Sequence, residues 1–211
     1  MRVAFLPAIL LVAGLVAPAQ TASQVHHSDL GFSYTLPTDW QIVSENPTLP
    51  VLKADKTQST GDEQEKRGIQ CIQLELNARH GTPPSVITVL QLPFACFGQT
   101  LTDTDLPGFA QGASEGLKQN FVLSPPVYGS YTLGSHSMWI ERVNGVVIGH
   151  PEMKYTVEIA CSVLKLGAAC WMTMASDDLA LQTFERGKVS LDGEPGATLV
   201  PPTAFDKKPG T

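Results

Sequence analysis

The chain has 211 residues, a net charge of −6 and only 16% charged side chains. It carries no basic stripe that could release counterions from phosphates, which excludes nucleic acid as a partner. If a leader is removed, roughly 190 residues remain, enough for one domain with a sizeable core.

The chain opens on a leader. Arg2 supplies a positive charge, residues 3–16 are apolar apart from Pro7 and Gly14, and Ala17-Pro18-Ala19 offers small residues to a signal peptidase. This pattern predicts a secretory signal peptide over residues 1–19 and a secreted or periplasmic location. The mature chain then begins at Gln20 with a flexible arm over residues 20–28. No cysteine stands at the cleavage point to take a lipid anchor. No second apolar run of about 20 residues follows, so no transmembrane segment is expected in the mature chain.

A single α+β domain is expected over residues 29–192. Residues 31–36 and 40–43 alternate with period two around Pro37-Thr38-Asp39 and predict a first hairpin. Residues 61–68 are a charged loop. Residues 69–76 and 86–94 read as two strands joined by residues 77–85, a hairpin that brings Cys71 opposite Cys96. The spacing of Leu106, Phe109, Ala110, Ala113, Leu117 and Phe121 predicts a helix over residues 105–121, capped by Asp105 with Pro107 in its first turn. Gly108, Gly112 and Gly116 recur every four residues along it. That row implies tight packing on a sheet or neighbouring segment, or else a groove for a small apolar ligand.

Strands are expected over residues 127–133 and 137–147, with turns at 133–135 and 144–145. Residues 155–163 and 168–174 form another hairpin around residues 164–167, with Gly167 left-handed at the end of the loop. In that register Val163 faces Ala168 and Cys161 faces Cys170, whereas a slip of one residue would put the two sulfurs on opposite faces. Four cysteines allow three connectivities, and these hairpins favour Cys71 with Cys96 and Cys161 with Cys170. Ser176 starts a second helix with Asp177 and Asp178 in its first turn and Leu181 and Phe184 facing inward. The Pro- and Gly-rich tail, residues 193–211, is expected to be disordered.

Candidate chemistry is sparse. Ser135 and His136 are adjacent but lack a nucleophile elbow, and neighbours on a strand point to opposite faces. His26, His27, His80 and His150 could bind a metal only if the fold gathered them. Asp103, Asp105, Asp177 and Asp178 read as helix-start residues. No Cys-x-x-Cys, phosphate loop or zinc-protease motif is present. No catalytic residue, metal or cofactor is therefore expected.

The segment LGFSYTLPTDWQIV, with Gly31, Phe32, Pro37 and Trp40, resembles the opening hairpin of the PsbP/Mog-like superfamily. ASDDLALQTFERGKVSL, carrying Phe184, is similar to that fold's final helix. The resemblance implies an antiparallel β-sheet flanked by helices, an α/β/α sandwich, with Phe32 and Trp40 in its core. Family members mostly act as binding or accessory proteins, among them extrinsic photosystem subunits, transport cofactors and exported bacterial proteins. Four cysteines and a bacterial-type leader depart from the photosystem members, and no functional residue carries across.

Together these readings predict an exported, disulfide-stapled, non-catalytic binding or accessory protein. Its partner would be an envelope or extracellular protein or a small apolar ligand. The alternative is a secreted hydrolase with a serine nucleophile or a metal-bound water, which would require His136 or the other histidines to converge with carboxylates.

Overall fold

The computed structural model describes residues 24–36, 38–45, 68 and 70–206, without the side chains of residues 44, 45, 113 and 115. The leader expected over residues 1–19 and nearly all of the charged loop expected at 61–68 lie outside the described residues.

Two antiparallel sheets dominate. The larger has the order β3 (Gln41–Glu45), β4 (Gln73–His80), β5 (Ser85–Pro93), β10 (Gly167–Ala175), β9 (His150–Val163), β8 (His136–Val147) and β6 (Phe121–Leu123), with β7 (Val127–Leu133) also paired to β8. The smaller has the order β1 (Val25–His27), β2 (Phe32–Thr35), β11 (Lys188–Leu191) and β12 (Ala197–Thr198). Among the described residues, α1 (Phe94–Phe97), α2 (Leu106–Glu115) and α3 (Asp178–Glu185) are short α-helices, and residues 68, 70 and 71 are also helical.

The two faces of the large sheet are covered differently. The main core joins one face to the small sheet, to Ala180 and Phe184 of α3, and to Leu199, Val200 and Ala204 of the final segment. Trp171 fills its centre, fully buried, with the Phe32 ring edge-on at 5.1 Å. The other face packs against α2 through Leu106 and Ala110. The expected flanking by helices therefore holds in part: a second sheet with α3 covers one side, and α2 covers the other.

The β9–β10 hairpin has the expected register, Ala168 opposite Val163 and Cys170 opposite Cys161. Gly167, however, is not left-handed. It is required because a Cβ there would meet the Leu92 carbonyl and a Leu30 methyl at 2.6 Å.

Several local expectations are corrected. Residues 31–36 and 40–43 do not pair with each other: β2 joins the small sheet beside β11, and β3 pairs with β4 in the large one. The arm expected at 20–28 includes a strand, β1, paired to β2. The β4–β5 turn is residues 81–84, so residues 77–80 belong to the strand. Asn144 and Gly145 lie inside β8 opposite Thr156 and Tyr155. There Gly145 leaves room for Phe121 and Leu123, and the reversal comes at Ile148 and Gly149, with Gly149 at φ 82°.

The helix expected over 105–121 is α2 followed by a 3-10 turn, Gly116–Gln119, and Phe121 enters β6 opposite Val147. Asp105 does not cap α2; its carboxylate accepts from the Thr102 backbone and hydroxyl at 2.8 Å. Asp177, not Ser176, caps α3 by accepting from the Ala180 amide at 2.8 Å. The tail expected to be disordered is packed through residue 206: Leu199 and Ala204 are fully buried, and the Tyr131 hydroxyl donates to the Leu199 carbonyl at 2.6 Å.

Candidate functional site

The α2-covered face holds the arrangement best suited to binding. Alternation along β8 sends Met138 and Ile140 into the main core and Trp139 and Val143 to the opposite face. Trp139 stands across from Cys161, and Tyr128 stands across from Glu141. The Tyr128 and Trp139 rings lie 5.5 Å apart, tilted by 42°. A ten-residue helix is too short to seal this surface, so Phe109, Leu117, Trp139, Val163, Met172 and Met174 are only partly buried around it. Tyr128 is 40% exposed.

Two polar features distinguish this patch from a plain apolar surface. The Trp139 Nε1 is buried and has no hydrogen-bond partner, and a buried donor in that state favours any acceptor brought to it. Burial and the neighbouring Glu141 carboxylate push the Tyr128 hydroxyl up, while Lys118 pulls it down. Tyr128 therefore feels a carboxylate and an ammonium group of opposite effect.

The expected groove along Gly108, Gly112 and Gly116 is absent from this arrangement. All three are exposed, and a Cβ at any of them would meet nothing within 4 Å. The row faces outward because the packed face of α2 is the one carrying Leu106 and Ala110. An open depression of about 230 Å³ lies elsewhere, between Asn144, Lys154, Tyr155 and the start of α3.

The cysteines form two bridges. Cys161 and Cys170 are fully buried, with 4.1 Å between their Cα atoms, beneath the patch. Cys71, just ahead of β4, joins Cys96 in α1 with a Cα separation of 5.6 Å. This second bridge ties the chain beyond the open end of the β4–β5 hairpin and lies outside the strand pairing.

The remaining chemical candidates are dispersed. His136 Nε2 lies 3.5 Å from Asp192 and 3.9 Å from Glu194. The Ser135 hydroxyl donates to Glu194 and not to His136, and together with the Ser135 amide it holds the Glu194 carboxyl below the usual range. A histidine–carboxylate pair is thus present, but the serine beside it is hydrogen-bonded to an acid. His26 meets Glu75 at 2.9 Å, His80 stacks on Trp40, and His150 meets Glu152 at 3.3 Å. His27 lies exposed on β1. Among the described residues no group of three or more His, Cys, Asp or Glu side chains could hold a metal ion, and no helix is long and apolar enough to cross a membrane.

The sequence reading missed an ionic cluster on the main-core side, built on a buried glutamate with partly exposed partners. Glu158 of β9, fully buried, accepts from Arg142 Nε of β8 at 2.6 Å, and Arg142 Nη2 also lies 2.5 Å from Glu185 of α3. The guanidinium carbon sits 4.4 Å from the centre of the Phe205 ring. A glutamate within the apolar run of β9 was the available signal. Both faces of this central strand are buried, so Glu158 points into the main core and not to solvent.

The sequence matches no family model and no curated protein. In structure, the chain is similar to the solution structure of cyanobacterial PsbP (CyanoP) from Synechocystis sp. PCC 6803, with a TM-score of 0.45 and 12% identity, covering 84% of this chain and 99% of that one. It is also similar to the crystal structure of LpqN, involved in cell envelope biogenesis of Mycobacterium tuberculosis, with a TM-score of 0.41 and 18% identity, covering 79% of this chain and 88% of the other. Both are likenesses of structure at low sequence identity.

Proposed function

We propose that this chain is an exported accessory protein that binds a small apolar ligand without transforming it, and that the binding face is the patch around Tyr128 and Trp139. The observation that carries this reading is the Trp139 indole N–H, buried and without a partner at the edge of a partly covered apolar surface. The ligand that suits it has an apolar body and one acceptor oxygen for that N–H. Half-exposed methionines favour the reading further, because their flexible, polarisable side chains adapt to varied apolar shapes. Two disulfides fit a protein that works outside the cytosol.

The test is native mass spectrometry of the protein recovered from the secreting cells, beside its Trp139→Phe variant, which keeps a ring and removes the N–H. The expected result is an added mass that disappears on denaturation and is at least tenfold depleted in the variant. A bare chain in both, or equal occupancy in both, would overturn the assignment of the site.

A further inference from the structure

The ionic cluster under α3 is unbalanced: one cation, Arg142, serves two carboxylates. Arg142 Nε and Nη2 both reach the same oxygen of Glu158, Oε2, while Nη2 also holds Glu185. The second oxygen, Glu158 Oε1, is buried with no hydrogen-bond partner. A bare carboxylate oxygen in an apolar core is costly, and a proton placed there neutralises it without disturbing the bonds to Oε2.

Among the described residues, Arg142 is the one cation that acts on Glu158. From β10, Thr173 stands opposite Glu158, but its hydroxyl donates to the Val86 carbonyl. From β7, the Tyr131 hydroxyl donates to the Leu199 carbonyl. From α3 comes only Glu185, and from the final segment only the Phe205 ring, against the guanidinium. The same Arg142 thus touches the elements that close this side of the core, α3 and the segment after β12.

We propose that Glu158 is a proton-binding site whose ionisation loosens α3 and the final segment, residues 199–206, over the main core. With the proton on Oε1, Arg142 and Glu185 balance and the cover lies closed. Without it, the cluster carries one excess buried negative charge. Water reaches that charge most readily if the cover lifts, because Glu158 itself is fixed between β8 and β10.

Burial pushes the Glu158 carboxyl up to about 7, opposed by Arg142 and assisted by Glu185. Because the folded value lies above the ordinary 4.5, the stabilisation from proton binding is complete below pH 4.5 and is lost as pH rises through about 7.

The experiment has two readings. Carbon-13 NMR of the Glu158 side-chain carboxyl, in the full mature protein, is expected to show a midpoint near neutrality. Glu185→Gln, at a partly exposed position, is expected to shift that midpoint downward because it removes the competing charge. Limited proteolysis of residues 178–206 is expected to run several-fold faster at pH 8.5 than at pH 6 in the natural protein, with no such difference beyond the protease's own profile in Glu158→Gln. A midpoint in the ordinary carboxylate range, no shift in Glu185→Gln, or equal acceleration in Glu158→Gln would overturn the proposal. The titration and the Glu185 variant decide it even if Glu158→Gln does not fold.

Discussion

The two faces of the large sheet divide the molecule's labour. On the side of the small sheet, 25 described residues are buried in one continuous cluster, with three more packed partly buried against it. On the side of α2, one cluster has seven buried and seven only partly buried residues, and a separate smaller one, into which Phe109 also packs, buries Cys71, Leu92 and Phe97. A sheet meeting a second sheet interdigitates over its whole area, whereas a short helix covers a stripe and leaves the flanks open. The fully packed face fixes the fold, and the thinly covered face, which leaves apolar side chains partly exposed, is the one to which we assign ligand binding.

The largest effect that would sharpen this contrast comes from truncating one tryptophan on each face. Trp171→Ala should destabilise by about 3–5 kcal/mol, since it opens a large cavity in a surface that cannot collapse. Trp139→Ala should cost roughly half of that, in keeping with its partial exposure. Chemical denaturation of both variants checks the pair, and equal losses would break the comparison.

The bridges fall between these two. With sequence separations of 25 and 9, the chain-entropy account gives about 3.5 kcal/mol for Cys71–Cys96 and about 2.6 kcal/mol for Cys161–Cys170 on replacement by alanine pairs. A larger loss for the shorter loop would show that burial of its sulfurs under Trp139 outweighs chain entropy. The smallest effect concerns the glycine row. Gly112→Ala should raise stability by about 1 kcal/mol, since it gains helix propensity and meets open space. Destabilisation in a thermal melt would mean that the row is covered after all.

What could be read from the sequence was whatever a strand and its immediate neighbour determine between them. The β9–β10 register and its bridge follow from alternation and loop length alone, because slipping by one residue would part Cys161 from Cys170. Failures came where a distant partner decides. Pro37-Thr38-Asp39 announces a turn, but nothing local says that the strands either side of it enter different sheets. Asn144-Gly145 is a strong turn signal, yet fourteen residues of β9 run past it and pairing prevails. Pro and Gly in the tail concealed Leu199, Val200 and Ala204, whose burial depends on β7 and α3. The candidate site was hidden for the same reason: Tyr128 meets Trp139, and Arg142 meets Glu158, only once β7, β8 and β9 are in register.

The small sheet pairs β2, near the start of the chain, with β11, near its end, Phe32 lying opposite Leu191, and the last core residues lie beyond that pairing. A chain delivered from its N-terminal side therefore lacks the β11 side of its main core until residues 188–204 have arrived. Local pairings such as β1 with β2 and β4 with β5 can form early, but the face they build stays uncovered. Such a topology makes completion of the main core a late event in folding.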